Sequence, residues 1–386
     1  MIGNPPYVDS ETMTVNTPIF REYLKTKFNT TKGNWDLFVP FIEFGVELNA
    51  DRGIFAFIIP NKVLSANYTI DLKNYLSEKC ILEIRDYSRL NIFKEANVYP
   101  VTLLIKKDEK RDEVMMTTME SKEVVGNTNY VNQRIFYKDI LWDKYFFNKE
   151  IVEILTKLSS LSNLGNLEEF KIVGAATVNE AYLIKEKLHD NKDMLTCKRL
   201  INTGTIDKWT SLWGNKKTQY IKDSYHFPMI LDSDIKNINP IRFVQAQSSK
   251  LIIAGMSNQI EAYLDLNGDY LAGKSTTIIL SNLEDLKIYC ALLNSKVASF
   301  FVNFNYHSLK MSGGYLNINN EIISSIPFPI FTESGRNKII YIVNQILSIK
   351  KKNQSADISA LEKEIDKLVY ELYGLTAEKI RIIEEN

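Results

Sequence analysis

The chain has 386 residues, which suggests two or three domains, and Lys plus Arg balance Asp plus Glu at 47 each. Without a global basic excess it is not a purely electrostatic binder of nucleic acid, although a local basic cleft stays open. Cys80, Cys197 and Cys290 are too far apart for a metal motif or disulfide framework, the start is no signal peptide, and no run of about 18 apolar residues predicts a membrane span, so a cytoplasmic protein is expected.

Residues 36–49 carry apolar side chains at helical spacing and predict a helix despite Pro40. Residues 53–60 form a short apolar run between Gly and Pro, the pattern of a buried strand. A loop and a helix follow, then strands at 81–88 and 98–107. Helix–strand–helix–strand–strand fits the second half of an α/β sheet whose last two strands form a hairpin. The charge run at 106–113 predicts a solvated turn, and residues 116–160 read as a linker or connecting elements.

Residues 161–332 are rich in Gly, Asn, Ser and aromatics and predict a second, α+β region. Short strands are expected at 219–221, 228–232, 250–254 and 276–280, and one long helix at 284–304. Residues 333–386 predict C-terminal helices at 335–350, 357–373 and 377–385, with Gly374 as a helix stop and Thr376 as an N-cap.

A further pattern lies in short motifs. Residues 4–7 read Asn-Pro-Pro-Tyr, and Asp36-Leu37-Phe38 opens a helix about 30 residues later. Phe57-Ile58-Ile59-Pro60-Asn61 comes next, then Phe93-Lys94-Glu95-Ala96-Asn97-Val98-Tyr99-Pro100-Val101 leads into a strand. This series resembles the catalytic half of adenine-specific DNA methyltransferases of the TaqI-like (gamma) class and of type IIG restriction-modification enzymes. Phe170–Gly174, Asn179–Tyr182, Asn202–Ile206, Trp213-Gly214, Leu292–Lys296, Ile326–Pro329 and Glu371–Thr376 extend the likeness over nearly the whole chain.

The resemblance implies a fold: the second half of a Rossmann-like methyltransferase sheet in residues 1–115, then a target-recognition domain and C-terminal helices. It implies roles as well. The Asn4 amide oxygen and the Pro5 carbonyl would accept hydrogen bonds from the exocyclic NH₂ of a base turned out of duplex DNA, with Pro6 stiffening the loop. Tyr7 and Phe93 would stack on its two faces, each contact offsetting about 1–3 kcal/mol of the extrusion cost. Asp36 matches a motif near the methyl-donor pocket, and helix N-capping is an equal reading of it.

The donor would be S-adenosylmethionine. Its glycine-rich loop precedes Asn-Pro-Pro-Tyr in that family, and no substitute for it stands in this sequence. The expected partners are therefore double-stranded DNA and an N-terminal methyltransferase or nuclease half, or an upstream polypeptide. The candidate DNA contacts are Lys198, Arg199, Lys208, Trp209, Lys216, Lys217, Tyr220, His307 and Lys310, where basic and aromatic residues interleave. Asn202-Thr203-Gly204 reads as a tight turn instead.

Nuclease-like triplets Asp108-Glu109-Lys110 and Asp190-Asn191-Lys192 read as solvated turns, and three dispersed histidines offer no zinc site. Two other readings remain: a DNA-binding specificity subunit that transfers nothing, and a structural partner in a restriction complex.

Overall fold

The computed structural model describes residues 1–386 apart from Arg89, Asn91, 94–97, 108–111, Lys138 and Ile140. Lys94–Asn97 of the Phe93 motif and the triplet Asp108-Glu109-Lys110 therefore lie outside the described residues. The chain divides into two compact units, one of Met1–Leu155 with Phe304–Leu309 and one of Thr156–Asn303 with Lys310–Asn386.

The first unit is built on a six-stranded sheet of order β1-β2-β4-β3-β5-β6. Its strands are β1 (Ile2–Gly3), β2 (Ile54–Pro60), β3 (Cys80–Asp86), β4 (Pro100–Lys106), β5 (Glu113–Met119) and β6 (Val125–Asn132). β1 runs parallel to β2, and β4 lies antiparallel between β2 and β3. The expected hairpin of the last two strands is thus the β3–β4 pair.

Alternation fixes the register. Phe55, Phe57 and Ile59 of β2 stand opposite Ile105, Leu103 and Val101 of β4, and all six are buried. Side chains of period two put these pairs on one face, where one residue of slip would expose them all. Helix α3 (Phe38–Leu48) covers that face, after α1 (Ser10–Asn16) and α2 (Pro18–Lys27), and α4 (Ile70–Ser77) follows β2. Pro40 is harmless because it stands in the first turn of α3, where its missing N–H has no helical acceptor.

Residues 116–160 are not a linker. β5 pairs parallel with β3, and β6 pairs antiparallel with β5. The sequence concealed them for a physical reason. β6 is an edge strand with most side chains exposed, so its composition is that of a loop. Backbone pairing holds it, and Asn129 Nδ2 donates to the Tyr145 carbonyl at 3.1 Å as well as to the Phe147 carbonyl at 2.6 Å.

A buried polar node ties Phe304–Leu309 to this unit. Asp143 accepts from the Ser308 N–H at 2.9 Å and from its hydroxyl at 2.7 Å, and Ser65 Oγ lies 2.6 Å from Ser308 Oγ. Burial pushes the Asp143 carboxyl up to about 7, against the hydrogen bonds from Ser308 and Ser65. Burial likewise pulls the Lys73 ammonium down to about 7, against the pull of Asp143 and Asp139.

The second unit holds two four-stranded sheets. One has the strand order Tyr270–Ala272, Cys197–Ile201, Pro228–Leu231, His189–Asp190, and the other Ala262–Asp265, Lys250–Ala254, Thr276–Leu280, Lys171–Gly174. All four expected short strands are present. The single helix expected at 284–304 is two, Leu283–Asn294 and Lys296–Asn305. Ser295 is extended at φ −72°, ψ 157°, and the new N-terminus is secured by Asp366, which accepts from the Lys296 N–H at 2.9 Å. The C-terminal helices are Glu333–Lys352, Ser359–Leu372 and Ala377–Glu385. Gly374 stops the second at φ +58°, and the Thr376 side chain caps the third by accepting from Lys379 N. Among the described residues no helix is long and apolar enough to cross a membrane.

The Asp143 node gives a signed prediction. A carboxyl whose folded pKa is raised binds its proton more tightly in the native state, so its contribution to stability falls as pH climbs from about 4 to about 7. Asp143→Asn removes that fall, and its melting temperature should gain on the wild type across this window. Parallel melting curves from pH 4 to 7 would contradict the assignment.

Candidate functional site

β1, β2 and β3 point the same way, and β4 returns between β2 and β3. Three connections therefore emerge at one edge of the sheet: residues 4–9 after β1, 61–69 after β2 and 87–99 between β3 and β4. Ligands of open α/β sheets bind outside the carboxyl ends of parallel strands. The sequence-expected residues Asn4–Tyr7 and Phe93 both lie at this edge.

The first loop is held from beneath. A Cβ on Gly3 would meet the Phe57 ring at 2.5 Å, and one on Gly45 of α3 would meet the Phe55 ring at 2.4 Å. Two glycines thus let β1 and α3 close on a pair of rings whose centroids are 4.1 Å apart. Pro5 is buried, while Asn4 and Pro6 are exposed. Asn4 makes no side-chain hydrogen bond to another described residue, so its amide is free to engage a ligand.

Asp36 holds the loop from the side. One carboxylate oxygen accepts from the Ser10 N–H at 3.2 Å, and the other from the Tyr68 hydroxyl at 2.6 Å. Lys62 approaches to 3.9 Å, and the Leu37 N–H donates to the Val8 carbonyl at 2.8 Å. One side chain thus joins the loop after β1, the start of α3 and the segment after β2. The N-capping reading of Asp36 is corrected: Leu37 occupies that position with no side-chain cap on α3. The segment leading to Asp36 is itself fixed by Arg21, which donates to the carbonyls of Trp35 and Gly33 at 3.1 Å each and stacks 4.3 Å over the Trp35 ring. Sequence reasoning missed Tyr68 and Ser10. Placing 61–69 at the carboxyl end of β2 was the signal that could have found Tyr68.

Tyr7 and Phe93 are neighbours, with centroids 6.1 Å apart and planes at 84°. A base between two parallel rings needs about 7 Å, twice the 3.4 Å stacking rise. The rings therefore touch edge to face here and must turn to admit a base. The Tyr7 hydroxyl is buried without a hydrogen-bond partner among the described residues, and burial raises its pKa, so it stays protonated.

The described residues do not make up a donor site for S-adenosylmethionine. The Asp36 carboxylate is committed to Ser10, Tyr68 and Lys62, and the adjacent pair Gly313-Gly314, at φ +82° and +80°, forms a turn in the other unit. No group of His, Cys, Asp or Glu among the described residues could hold a metal ion.

The expected DNA contacts scatter. Lys216 and Lys217 are exposed, and Lys208 is half-buried. Arg199 is exposed, with its guanidinium over Trp213 at 5.1 Å and over Tyr270 at 5.6 Å. Lys198 donates to the Gly268 carbonyl at 2.7 Å, which occupies its charge. His307 stands edge-on to Phe147 in the first unit, while Lys310 belongs to the second. Trp209 and Tyr220 are corrections. Both are 2% exposed, and the Trp209 indole N–H donates to Glu362 at 2.9 Å, so neither face is open to a base. Asn202 behaves as the tight turn expected, accepting from Ser275 N and Oγ at 3.3 and 2.6 Å.

Residues 1–93 match the family model described as Eco57I restriction-modification methylase. A stretch of 209 residues, half of this chain, is 25% identical to the type II restriction enzyme and methyltransferase RM.Eco57I of Escherichia coli, and spans 20% of that protein. The whole chain aligns at 21% identity with the type II methyltransferase M.BstVI of Geobacillus stearothermophilus, over 75% of its length. Among solved structures it is similar to the type IIL restriction-modification enzyme MmeI in complex with DNA, at a TM-score of 0.62 and 13% identity, covering all of this chain and 56% of that one. The α/β fold is similar to that of MmeI, and the chain spans a fraction of the length of two of these three proteins.

The Asp36 hub can be tested directly. Tyr68→Phe removes one hydrogen bond to a carboxylate and should cost about 1–3 kcal/mol. It should also speed amide exchange in residues 4–10 while β2 and β4 stay protected. Unchanged exchange in 4–10 would show that Asp36 does not pin the loop.

Proposed function

We propose that this chain is the base-holding and DNA-reading portion of a site-specific DNA methyltransferase of a restriction-modification system. It acts on the N6 of an adenine turned out of the duplex. The observation that carries this reading is the meeting of Asn4–Tyr7 and Phe93 at the carboxyl edge of the sheet, with a free Asn4 amide and an orphaned Tyr7 hydroxyl beside them. The match of residues 1–93 to a methylase family supports it.

In this reading the Asn4 oxygen and the Pro5 carbonyl accept the two protons of the adenine amine. That directs its lone pair outward and keeps electron density on nitrogen. Tyr7 and Phe93 clamp the ring, so the work of this chain is positioning rather than acid–base chemistry. S-adenosylmethionine, held by another segment, would supply an electrophilic methyl group on a positively charged sulfur, and the amine nitrogen that takes it would give up one proton.

A further polypeptide segment completes the sheet and holds that donor. Two features support this. β1 pairs only with β2 among the described strands, leaving an open edge beside Ile2, which is 90% exposed. Helix α3 is apolar on its outer side too, where Phe41, Phe44 and Leu48 are exposed at 36, 45 and 58%. Apolar side chains exposed together like this mark a surface that a further segment can cover.

The test is methyl incorporation from labelled S-adenosylmethionine into DNA, with and without the polypeptide encoded upstream. Incorporation as N6-methyladenine should require both. Asn4→Ala should lower it by at least about 10²-fold while duplex binding is kept. Full transfer by Asn4→Ala would refute the pocket assignment. Specific binding with no transfer under any combination would favour the non-catalytic specificity subunit.

A further inference from the structure

Residues Thr218–Tyr220 and Asp223–Tyr225 form a two-stranded antiparallel ribbon that joins neither four-stranded sheet. Its two-residue tip is strained. Ile221 and Lys222 both have positive φ, +44° and +69°, as a type I′ turn demands. That turn normally takes Asn-Gly, and a β-branched residue there is a genuine outlier. Such strain persists only where the surroundings over-determine it. Here they do: Ile221 packs on a core cluster with Tyr220, and Thr218 on the same side of the ribbon is fully buried.

The opposite face is polar and open. Gln219 and Ser224 are direct cross-strand partners and both are exposed. Gln219 Nε2 donates to Ser224 Oγ at 3.0 Å, which sets the plane of the amide. The Gln219 carbonyl accepts from Asn202 Nδ2 at 2.9 Å, so the backbone beneath it is fixed as well. One amide proton and the amide oxygen of Gln219 remain unused. Lys222 at the tip and Lys216 and Lys217 at the base are exposed and make no ion pair among the described residues, whereas the one acid of the ribbon, Asp223, is paired with Lys185 at 2.9 Å.

We infer that this ribbon enters the major groove of duplex DNA and that Gln219 reads an adenine of the recognition sequence. The inference rests on the DNA-methyltransferase reading and names one specificity-determining side chain for it. The major groove admits a two-stranded β-ribbon, and a Gln amide matches adenine there: its oxygen accepts from N6–H and its remaining N–H donates to N7. The Ser224 bond leaves those two groups available and removes much of the rotational freedom that binding would otherwise have to freeze. Lys222, Lys216 and Lys217 contact phosphates on either side and set the register. The packing of Ile221 and Tyr220 keeps the tip tight against that strain, so the strands hold the registration that puts Gln219 against Ser224.

The test is selection of bound sequences from a randomised duplex library by the purified full chain. The wild type should enrich a defined sequence. Gln219→Leu, whose side chain is exposed and whose melting temperature should be unchanged, should lose discrimination about tenfold or more at one A·T position and keep the others. Gln219→Glu should shift that position toward C·G, because a carboxylate accepts from cytosine N4. That gain of a new preference separates base reading from damaged folding. Lys222→Ala should weaken binding to all sequences alike and lower the salt slope by about 1. An unchanged consensus for both Gln219 variants would overturn this inference and leave DNA reading intact. If the wild type enriches no sequence, the reading beneath it fails as well.

Discussion

The carboxylate of Asp36 is the constraint on which the site depends. It accepts from the loop after β1 through Ser10 and from the segment after β2 through Tyr68, and its own neighbour Leu37 bonds back to Val8. A loop of two prolines is stiff internally, but stiffness does not fix where it stands. Asp36 supplies the position. Burial and the nearby carboxylate keep Tyr68 protonated, so the short bond always has its donor. Arg21 and Glu43 brace the chain on the approach to Asp36, Glu43 by accepting from Asn29 N and Thr30 N at 3.0 and 2.9 Å.

Below that hub the organisation is steric. Phe55 and Phe57 each bring about 1.5–3 kcal/mol of burial to the sheet, and they need flat ground on both sides. Gly45 provides it on α3 and Gly3 on β1. Gly3 therefore sets how closely the strand ahead of Asn4 approaches the core, and through it where the Asn4–Tyr7 loop begins. A small residue ahead of the motif is as much a part of the geometry as the motif itself.

Much of this was legible in the sequence. The apolar runs at 53–60 and 98–107 predicted both strands, and the caps at Gly374 and Thr376 fell where their chemistry predicts. What stayed hidden had common causes. β6 is an exposed edge strand and has no apolar alternation to read. The break at Ser295 depends on Asp366, some seventy residues away in sequence. Trp209 looked like a base-stacking side chain because it follows a lysine, but its ring is buried and its N–H is bound to Glu362. The motif Asn-Pro-Pro-Tyr marked the loop after β1; the partners that orient it, Ser10 and Tyr68, carry no pattern of their own.

The central claim is that this pocket takes an adenine out of the helix. Permanganate oxidation tests it on the duplex, because a thymine that loses its partner and its stacking becomes reactive. Binding of the chain, completed by its donor-holding segment, to its selected sequence should make one thymine reactive, the one opposite the target adenine, and Tyr7→Ala should reduce that signal. Tight, specific binding with no newly reactive thymine would contradict the account.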